Sequence, residues 1–395
     1  MMDATETPAV ASDSRIKCAI CGALIHSVQH HLAREHVESG MTVETYQAAY
    51  PDAPILSEMA QQKIADLMKA KAKSAAILSV SAEQSTSRKE NFHEVFLLGS
   101  GAAAMGTSGR AIPVTVLLDN AEHADMVPDV DPSYLFNVDV LKSLMMAIEM
   151  KIPVYLWGHS GVGKTTIFEQ IAARTRRPFF RVQHTANMEE EHIVGGWRLR
   201  DGKTFFELGP LAMAMRFGWM YMADEYDFGR PEVTSVYQAV LEGKPLVIKE
   251  ADHDNRVIRP HPDFRICGTG NTNGQGDESG LYAGTNLQNA ANYERFGVVE
   301  QMPYMDKKLE ARLVSQQASI SLKDAEKLVD FAGRIRTEFD GGKLSNPISP
   351  RSLIFAAKIG FARSNYRVGL EKAFINRLSS TDREAASQVA QRVFA

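Results

Sequence analysis

The stretch Val154-Tyr-Leu-Trp-Gly-His-Ser-Gly-Val-Gly-Lys-Thr-Thr-Ile-Phe168 decides which fold this chain of 395 residues can adopt. It starts with an apolar run that indicates a buried strand, and residues Ile167 to Ala173 favour a helix. Between them lies the pattern GxxxxGK[ST], which is filled by Gly158, Gly163, Lys164 and Thr165. This strand, glycine-rich loop and helix are typical of a loop that binds phosphate through backbone N–H groups at a helix N-terminus.

The loop indicates a site for ATP together with a divalent cation. The Lys164 ammonium is expected to reach the β- and γ-phosphates, and the Thr165 hydroxyl is expected to ligate Mg²⁺. The candidate binding residues of the loop are Gly158, His159, Ser160, Gly161, Val162, Gly163, Lys164, Thr165 and Thr166.

The composition is that of an ordinary globular protein, with 44% hydrophobic and 23% charged residues. The chain carries 44 basic and 48 acidic side chains, a net charge of −4, so no general field attracts nucleic acid or a membrane. No apolar run is long enough to span a bilayer and no basic-then-apolar signal opens the chain, so we expect a cytoplasmic protein without a membrane partner. The length predicts two or three domains.

Three cysteines are too few for a disulfide framework, and two of them form a Cys-x-x-Cys pair. The candidate ligands of a Zn²⁺ ion are Cys18, Cys21, His31 and His36. Their spacing brings two thiolates and two helical imidazoles to one point, as tetrahedral zinc requires. His26 and His30 are rival ligands that pair less well with His36, and unliganded thiols with surface histidines are the alternative.

The surroundings of these ligands add two features. Leu24, Val28 and Leu32 are spaced as the apolar face of a short helix, and Tyr46-Gln-Ala-Ala-Tyr-Pro51 follows the last histidine. The spacing of the four ligands, together with this last stretch, resembles the zinc finger of the Ros/MucR bacterial regulators, which implies binding to DNA. Residues 1–56 carry three basic against seven acidic side chains, however, so a protein-docking role is at least as well supported.

The chain divides into four predicted segments. They are a zinc finger-like module at 15–56, a helix with a flexible linker at 57–91, an α/β nucleotide-binding core at 92–304 and a helical lid at 305–395. The helix is expected from Ser57 to about Ala76 and the linker from 79 to 91. Residues 1–14 are small and polar and are expected to be disordered.

A second glycine motif competes with the phosphate loop. The stretch from Val95 to Ala104 predicts a strand followed by GxGxxA, and Asp119 follows at the distance that a dinucleotide site requires. Gly106, Gly109 and Pro113 leave no room for the helix that should hold the pyrophosphate. We therefore favour a strand pair that leads into the core.

Five apolar runs that alternate with helices predict a doubly wound, mostly parallel sheet, whose ligand lies at the carboxyl ends of its strands. The predicted strands are Val154–Trp157, Phe179–Val182, Met220–Ala223, Phe264–Cys267 and Val298–Met302. A helix is predicted from Val130 to Met150, before the first of them.

Polar side chains follow two of these strands. Asp224 and Glu225 close the third, where Asp224 is expected to hold Mg²⁺ and Glu225 to activate the attacking water. Asn271 ends the fourth at the position of a sensor for the γ-phosphate, although the glycines around it also fit a turn residue. Cys267 is expected to be a small core residue.

Two hairpins interrupt the alternation of strands and helices. Residues 197–208 alternate apolar and polar side chains around Asp201-Gly202, and residues 246–259 form a second pair of short apolar runs. Trp197 and Phe205 are expected to contact a substrate or a neighbouring subunit, with core packing as the alternative.

Two arginines are candidates to stabilise charge that develops during phosphoryl transfer. Arg295 is expected to end the helix before the last strand, and Arg351 opens a helix of the C-terminal region, which starts near Met305. Such a cation is often delivered by another subunit.

Together these motifs resemble the AAA+ ATPases of the MoxR/CobS type over roughly 92–395. The stretches that carry the resemblance are Val127–Phe136, Asp224–Pro231, Arg256–Phe264, Gly280–Thr285 and Ser349–Arg351. The resemblance implies a Walker A loop, a Walker B pair, sensor 1 at Asn271, an arginine finger at Arg295 and sensor 2 at Arg351. Arg230 falls where the family places a further interface arginine.

The resemblance also implies an oligomeric ring, usually of six subunits, and a von Willebrand-type partner protein with a metal-dependent adhesion site. The zinc finger and linker at 15–91 are not part of the usual pattern. The predicted function is an ATP-hydrolysing motor that remodels a protein client or drives a cobaltochelatase-like partner. A DNA-associated ATPase recruited by the finger, and a scaffold that binds ATP without useful turnover, are the alternatives.

Overall fold

A computed structural model describes residues 15–66, 68, 86–99, 101, 104–106, 109–118, 121–277 and 280–394. The chain divides into two compact units, Met1–Val80 and Ser81–Ala395. The expectations for residues 1–14, for the beginning of the linker and for Asp119 lie outside the described residues.

The first unit is built from short elements around a small core. They are β1 (Ile16–Lys17), β2 (Leu24–Ile25), α1 (Val28–Glu35), α2 (Val43–Ala49) and α3 (58–66). Cys18, Val28, Leu32 and Tyr46 are buried together. The placement of Leu24 on the helix was wrong, because α1 begins only at Val28, after its cap Ser27, and Leu24 lies exposed in β2.

The helix expected after Ser57 is present as α3. The Ser57 hydroxyl accepts a hydrogen bond from the N–H of Ala60 (3.2 Å) and so caps its first turn. The predicted continuation to Ala76 lies almost wholly outside the described residues.

The second unit opens with the expected strand pair, but its boundaries differ from the prediction. Strand β3 (Ser87–Asn91) lies within the predicted linker and pairs antiparallel with β4 (Pro113–Leu117). The strand predicted from Val95 is instead the end of helix α4 (Phe92–Val95). The helix is favoured there because Phe92 and Phe96, four residues apart, are both buried.

The core of this unit is an α/β sandwich. Its elements are α5 (Val138–Met150), β5 (Val154–Trp157), α6 (Lys164–Arg174), β6 (Phe179–Gln183), α7 (Glu191–Val194), β7 (Gly195–Arg200), β8 (Lys203–Leu208), α8 (Pro210–Phe217), β9 (Met220–Asp224), α9 (Pro231–Thr234), α10 (Gln238–Leu241), β10 (Leu246–Val247), β11 (Val257–Ile258), β12 (Arg265–Gly270), α11 (Ala290–Tyr293) and β13 (Val298–Gln301).

The predicted parallel sheet is confirmed. Five parallel strands pair in the order β13-β5-β12-β9-β6. All five predicted strands are present, with ends that differ by at most a few residues. Cys267 is buried within β12, as expected. This order brings the carboxyl ends of β5, β12, β9 and β6 to one edge.

The helix predicted from Val130 to Met150 begins eight residues later, at Val138. Pro132 disfavours helical backbone at the residue before it, and Asn137 caps the helix by accepting a hydrogen bond from the N–H of Val140 (3.3 Å). Near its other end, Glu149 accepts hydrogen bonds from the Thr115 N–H (2.7 Å) and from Nζ of Lys89 (2.7 Å). These bonds fasten the strand pair to the core.

Both predicted hairpins are present. β7 pairs with β8 through a two-residue turn in which Asp201 and Gly202 have φ of +52° and +73°. Positive φ at both positions is the geometry that favours an Asp-Gly turn. β10 pairs with β11, where Leu246 lies opposite Ile258.

The C-terminal region is helical and has its own apolar core. Its helices are α12 (Lys307–Ala318), α13 (Leu322–Asp340), α14 (Pro350–Ala362), α15 (Tyr366–Ala373) and α16 (Ser380–Val393). A buried ion pair joins the first two, because both guanidinium Nη atoms of Arg336 lie 2.7 Å from the Glu310 carboxylate. Within the described part of the chain, no helix combines the length and apolar composition needed to cross a membrane.

Replacing Glu310 by Ala is expected to lower the free energy of unfolding by about 3–5 kcal/mol, because Arg336 is then buried without its carboxylate. The matched control is Asp330→Ala, which breaks the exposed ion pair with Arg334 on α13 and should cost less than about 1 kcal/mol. Urea unfolding followed by helical circular dichroism measures both losses. Equal losses would contradict this argument from burial.

Candidate active site

The phosphate loop joins β5 to α6 and depends on two glycines. Gly158 and Gly163 have φ of +151° and +100°, which other residues seldom adopt. A Cβ on Gly158 would lie 2.5 Å from the carbonyl oxygen of Met302. The loop therefore turns tightly at the end of the strand, and the N-terminus of α6 opens onto it, as anion binding requires.

The buried Lys164 side chain bonds to the loop and to a second strand. Its Nζ donates hydrogen bonds to the carbonyl oxygens of Gly158 (2.7 Å) and His159 (3.0 Å). It also donates to Oδ1 of Asn271 (2.9 Å), beyond the end of β12. Burial lowers the pKa of this ammonium to about 8, although the charge of Asp227 opposes the change. Two residues predicted from distant stretches are thus in direct contact.

Thr165 and Asp224 are also in contact. The Thr165 hydroxyl lies 3.2 Å and 3.4 Å from the two carboxylate oxygens of Asp224, which is buried at the end of β9. The same carboxylate accepts a hydrogen bond from the Thr269 hydroxyl and one from Nε of Arg181 (2.6 Å). A hydroxyl beside a carboxylate, at a phosphate loop, is a set of hard oxygen donors that fits Mg²⁺.

Glu225, the second acid, has an uncommon backbone conformation. Its φ and ψ of +51° and +41° are left-handed, which for residues other than glycine costs on the order of 1–3 kcal/mol. Its N–H donates to the Thr269 hydroxyl (3.2 Å), and its carboxylate accepts a hydrogen bond from Nε2 of Gln183 (2.6 Å). The Glu225 side chain is thus bonded to the carboxyl end of β6.

Gln183 and Arg181 were missed by the sequence reasoning. Both belong to β6, whose carboxyl end lies beside that of β9. The signal available in the sequence was polar residues near the end of a predicted strand. Which acid they would contact depended on the strand order, which the chain pattern does not specify.

A cavity of about 250 Å³ lies between the phosphate loop and the C-terminal helices. Its lining includes Asp131, Tyr134, Gly161, Thr166, Arg351 and Phe355. Arg351 is therefore at the site, where its charge helps to lower the pKa of Lys164. The Tyr134 hydroxyl is buried and has no hydrogen-bond partner among the described residues. Reasoning from the residues alone had given Asp131 and Tyr134 no place in the site.

The other two arginines do not contact these residues. Nε of Arg295 pairs with Glu242 (2.7 Å), and its guanidinium also donates to the carbonyl oxygen of Ala291. The exposed Arg230 donates to the carbonyl oxygen of Met188 (3.4 Å). The described contacts thus bring Lys164 and Asn271 together but leave both arginines elsewhere.

The two hairpins meet at Trp197. Its indole Nε1 donates to the carbonyl oxygen of Glu250 (2.9 Å), in the turn between β10 and β11, and the residue remains 48% exposed. Leu199, on the same face of β7, is 73% exposed. Phe205 is half-buried, whereas Phe206 is buried in the core. Contact of Trp197 and Phe205 with a substrate or subunit stays a prediction.

The first unit brings the four candidate zinc ligands together. The ligand atoms of Cys18, Cys21, His31 and His36 lie within 4.8 Å of one another. Nε2 of His36 is buried without a hydrogen-bond partner among the described residues. The rival His26 instead bonds through Nδ1 to the Ser57 hydroxyl (2.9 Å).

Two families match the second unit. Residues 153–286 match the AAA domain (dynein-related subfamily), and residues 310–393 match the CbbQ/NirQ/NorQ C-terminal domain. The phosphate loop, the acidic pair and Asn271 lie in the first range, and Arg351 lies in the second. The zinc-ligand cluster lies outside both.

Three relatives are similar to this chain over most of their own length. The aerobic cobaltochelatase subunit CobS of Sinorhizobium sp is 33% identical over 279 residues, which is 68% of this chain and 83% of that protein. Protein CbbQ of Hydrogenophilus thermoluteolus is 27% identical over 58% of this chain and 82% of its own. Protein NorQ of Paracoccus denitrificans is 26% identical over 63% and 88%.

Binding of ATP is expected to weaken above pH 8. In the free protein, Lys164 is charged below its pKa of about 8 and neutral above it, whereas bound phosphates favour the charged form. Binding above pH 8 therefore takes up a proton, and the dissociation constant should rise by up to about tenfold per pH unit. Isothermal titration calorimetry between pH 6.5 and 9.5 measures this change.

Lys164→Arg is the matched control, because a guanidinium stays charged throughout this range. Its affinity should be nearly independent of pH, whatever its absolute value. The same pH slope in both proteins would contradict the assignment to Lys164.

Proposed function

Because the chain belongs to the AAA+ ATPases of the MoxR type, we propose that it works as a ring-forming motor that binds ATP between subunits and remodels a protein client. The observation that carries this proposal is the arrangement at the carboxyl edge of the sheet. Lys164 contacts Asn271, and Thr165 contacts Asp224, which precedes Glu225. A γ-phosphate, a cation and a water molecule each have a candidate binding group there.

Each residue then has a defined task. Lys164 and Asn271 orient the γ-phosphate, and Glu225 orients the attacking water and accepts its proton. Thr165 and Asp224 would hold Mg²⁺, which neutralises charge on the phosphates when bound. Arg351 lines the neighbouring cavity, from which its positive charge stabilises the nucleotide.

Arg295 is proposed to act on the site of the neighbouring subunit. Its described partners within the chain are Glu242 and Ala291, on elements other than the phosphate loop. The transition state of phosphoryl transfer needs a positive charge. An arginine that lies away from the phosphate loop of its own chain can supply this charge to the site of the neighbouring subunit. Arg230, which is exposed, is proposed to lie at the same interface.

The similarity to a cobaltochelatase subunit supports a metal-chelatase type of partner for the motor. We propose a ring of six subunits and a von Willebrand-type partner protein, following the resemblance of the motifs. The exposed Trp197 and Leu199 of the first hairpin are proposed to face the client, because neighbouring exposed apolar side chains on one strand suit contact with another polypeptide.

The N-terminal module is proposed to bind Zn²⁺ through Cys18, Cys21, His31 and His36. Two thiols and two imidazoles within reach of one point fit tetrahedral zinc, and the unpartnered Nε2 of His36 gains a bond there. Zinc would cross-link a core too small to be stable by burial alone. The acidic balance of residues 1–56 favours docking to a protein rather than to DNA.

Glu225→Gln is expected to bind ATP normally and to hydrolyse it at least about 100-fold more slowly, because the amide cannot accept a proton from water. Arg295→Ala should be similarly slow. An equal mixture of the two should regain activity, because at about a quarter of the interfaces an intact Glu225 meets an intact Arg295 from the neighbour. Phosphate release is measured for each variant and for the mixture, with the mass of the assembly in ATP recorded alongside.

The matched control mixes Glu225→Gln with Lys164→Ala. These two residues belong to the same subunit's site, so mixing creates no complete site and no activity should return. If mixed rings form, recovery in this control, or none in the Arg295 mixture, would disprove catalysis across the interface.

Full-length protein is expected to retain about one Zn²⁺ per chain, and His36→Ala should lose most of it. His30→Ala is the matched control, because His30 lies on α1, which ends just before His36, and is exposed and outside the ligand cluster. Metal content is measured by mass spectrometry after dialysis against a weak chelator. Equal zinc in the two variants would contradict the ligand assignment.

A further inference from the structure

Asp227 is a buried carboxylate that no step of the proposed reaction uses. It lies in the turn after Glu225 and is fully buried. Its Oδ2 accepts hydrogen bonds from the N–H of Asn271 (2.8 Å) and from the N–H (2.9 Å) and hydroxyl (3.0 Å) of Thr272. Its Oδ1 has no hydrogen-bond partner among the described residues.

These bonds act on the backbone that carries the candidate sensor. Strand β12 ends at Gly270, so Asn271 and Thr272 are the first residues beyond the sheet. Their two N–H groups have lost the neighbouring strand as a partner, and Oδ2 of Asp227 accepts their hydrogen bonds instead. The Asn271 side chain, held in this way, accepts the hydrogen bond from Nζ of Lys164 (2.9 Å). A single path of contacts thus leads from Asp227 to the phosphate loop.

One further contact holds the segment after β12, and another holds the turn that carries Asp227. The carbonyl oxygen of Thr272 accepts a hydrogen bond from the Tyr155 hydroxyl (3.1 Å), on β5. The carbonyl oxygen of Asp227 accepts one from the N–H of Asn286 (2.7 Å), farther along the chain. The side chain of Asp227 therefore joins the turn after β9 to the segment after β12, and its backbone carbonyl anchors that turn to Asn286.

Asp227 can influence the site through its charge as well as through its acceptor oxygen. Burial raises the pKa of its carboxyl, and hydrogen bonds from Thr272 and Asn271 oppose this. Among the acids near Lys164, Asp227 does most to offset the fall in the pKa of the lysine. The groups that face it include Tyr155 and Tyr293, whose pKa values are raised chiefly by burial and further by its charge. An experiment must therefore separate charge from geometry.

We propose that Asp227 is a positioning residue, which fixes the backbone of Asn271 so that the Asn271 amide meets Lys164 where the γ-phosphate binds. The inference rests on the proposed roles of Lys164 and Asn271. It assigns Asp227 no contact with nucleotide, cation or water. The proposed role depends on the acceptor oxygen and its position and not on the negative charge. A neutral residue with an acceptor oxygen at the same place should therefore perform the role of Asp227.

The test is steady-state ATP hydrolysis by full-length protein. Asp227→Ala removes the acceptor and should lower kcat by about 10–100-fold, with KM for ATP within about threefold of the wild-type value. Asp227→Asn keeps an acceptor oxygen and should stay within about fivefold of the wild-type kcat at neutral pH, where Lys164 is charged. The double variant Asp227→Ala/Asn271→Ala should be no slower than the slower single variant, because both changes interrupt one path.

Three results would overturn the inference. They are wild-type kcat in Asp227→Ala, equal losses in Asp227→Asn and Asp227→Ala, and losses that multiply in the double variant. If Asp227→Ala fails to fold, Thr272→Val carries the test, since it removes only the hydroxyl donor. A kcat two- to fivefold lower at constant KM then supports the inference, at roughly the scale of one hydrogen bond, and an unchanged kcat overturns it.

Asn271→Ala alone separates this inference from the proposed function. If that variant keeps the wild-type kcat, the sensor role itself fails and the inference fails with it. If it is slow while Asp227→Ala is not, the sensor role stands and only the inference about Asp227 is wrong.

Discussion

The burial of a single ammonium group, that of Lys164, is the constraint on which the site depends. A buried charge is costly unless oxygen atoms surround it, and three acceptors do so here. Two are carbonyl oxygens of the phosphate loop, which the glycine at 158 allows to turn inward, and the third belongs to Asn271. Even so, burial lowers the lysine pKa to about 8, so further negative charge beside it would favour the charged form. In the proposed function, the phosphates of ATP supply that charge.

The order of the strands places the other candidate site residues beside Lys164. β12 lies between β5 and β9, so the phosphate loop, Asn271 and the acidic pair emerge side by side although more than a hundred residues separate the first from the second. β6 completes the edge, where Arg181 and Gln183 hold the two acids. Asp227 follows the acids and reaches back to the end of β12. The candidate catalytic groups thus lie at one edge of the sheet, where the rule for parallel α/β folds places a ligand.

The sequence predicted those elements whose structure is determined by neighbouring residues in the chain. The five strands are short apolar runs, and the first hairpin turns at Asp-Gly, which favours positive φ. Where local patterns compete, the prediction was wrong. Helix α5 begins at Val138, after Pro132, and not at Val130 as predicted. The strand predicted from Val95 is instead the end of α4, which the buried Phe92 begins and the buried Phe96 follows. The sequence analysis assigned no role to Gln183, Tyr134 or Asp227. Residues of these types are common, and their place in the site depends on residues far away in the chain.

The sequence by itself determined that a phosphate loop lies between a strand and a helix, that acids close a second strand, and that cysteines and histidines have zinc spacing. These features follow from backbone preferences and side-chain chemistry within a few residues of the chain. Only the tertiary structure decided that Asn271 contacts Lys164, that Glu225 adopts a left-handed conformation, and that Arg295 pairs with Glu242 away from its own phosphate loop. Such pairings depend on strand order and on burial summed over the whole sheet, which no single stretch of sequence contains.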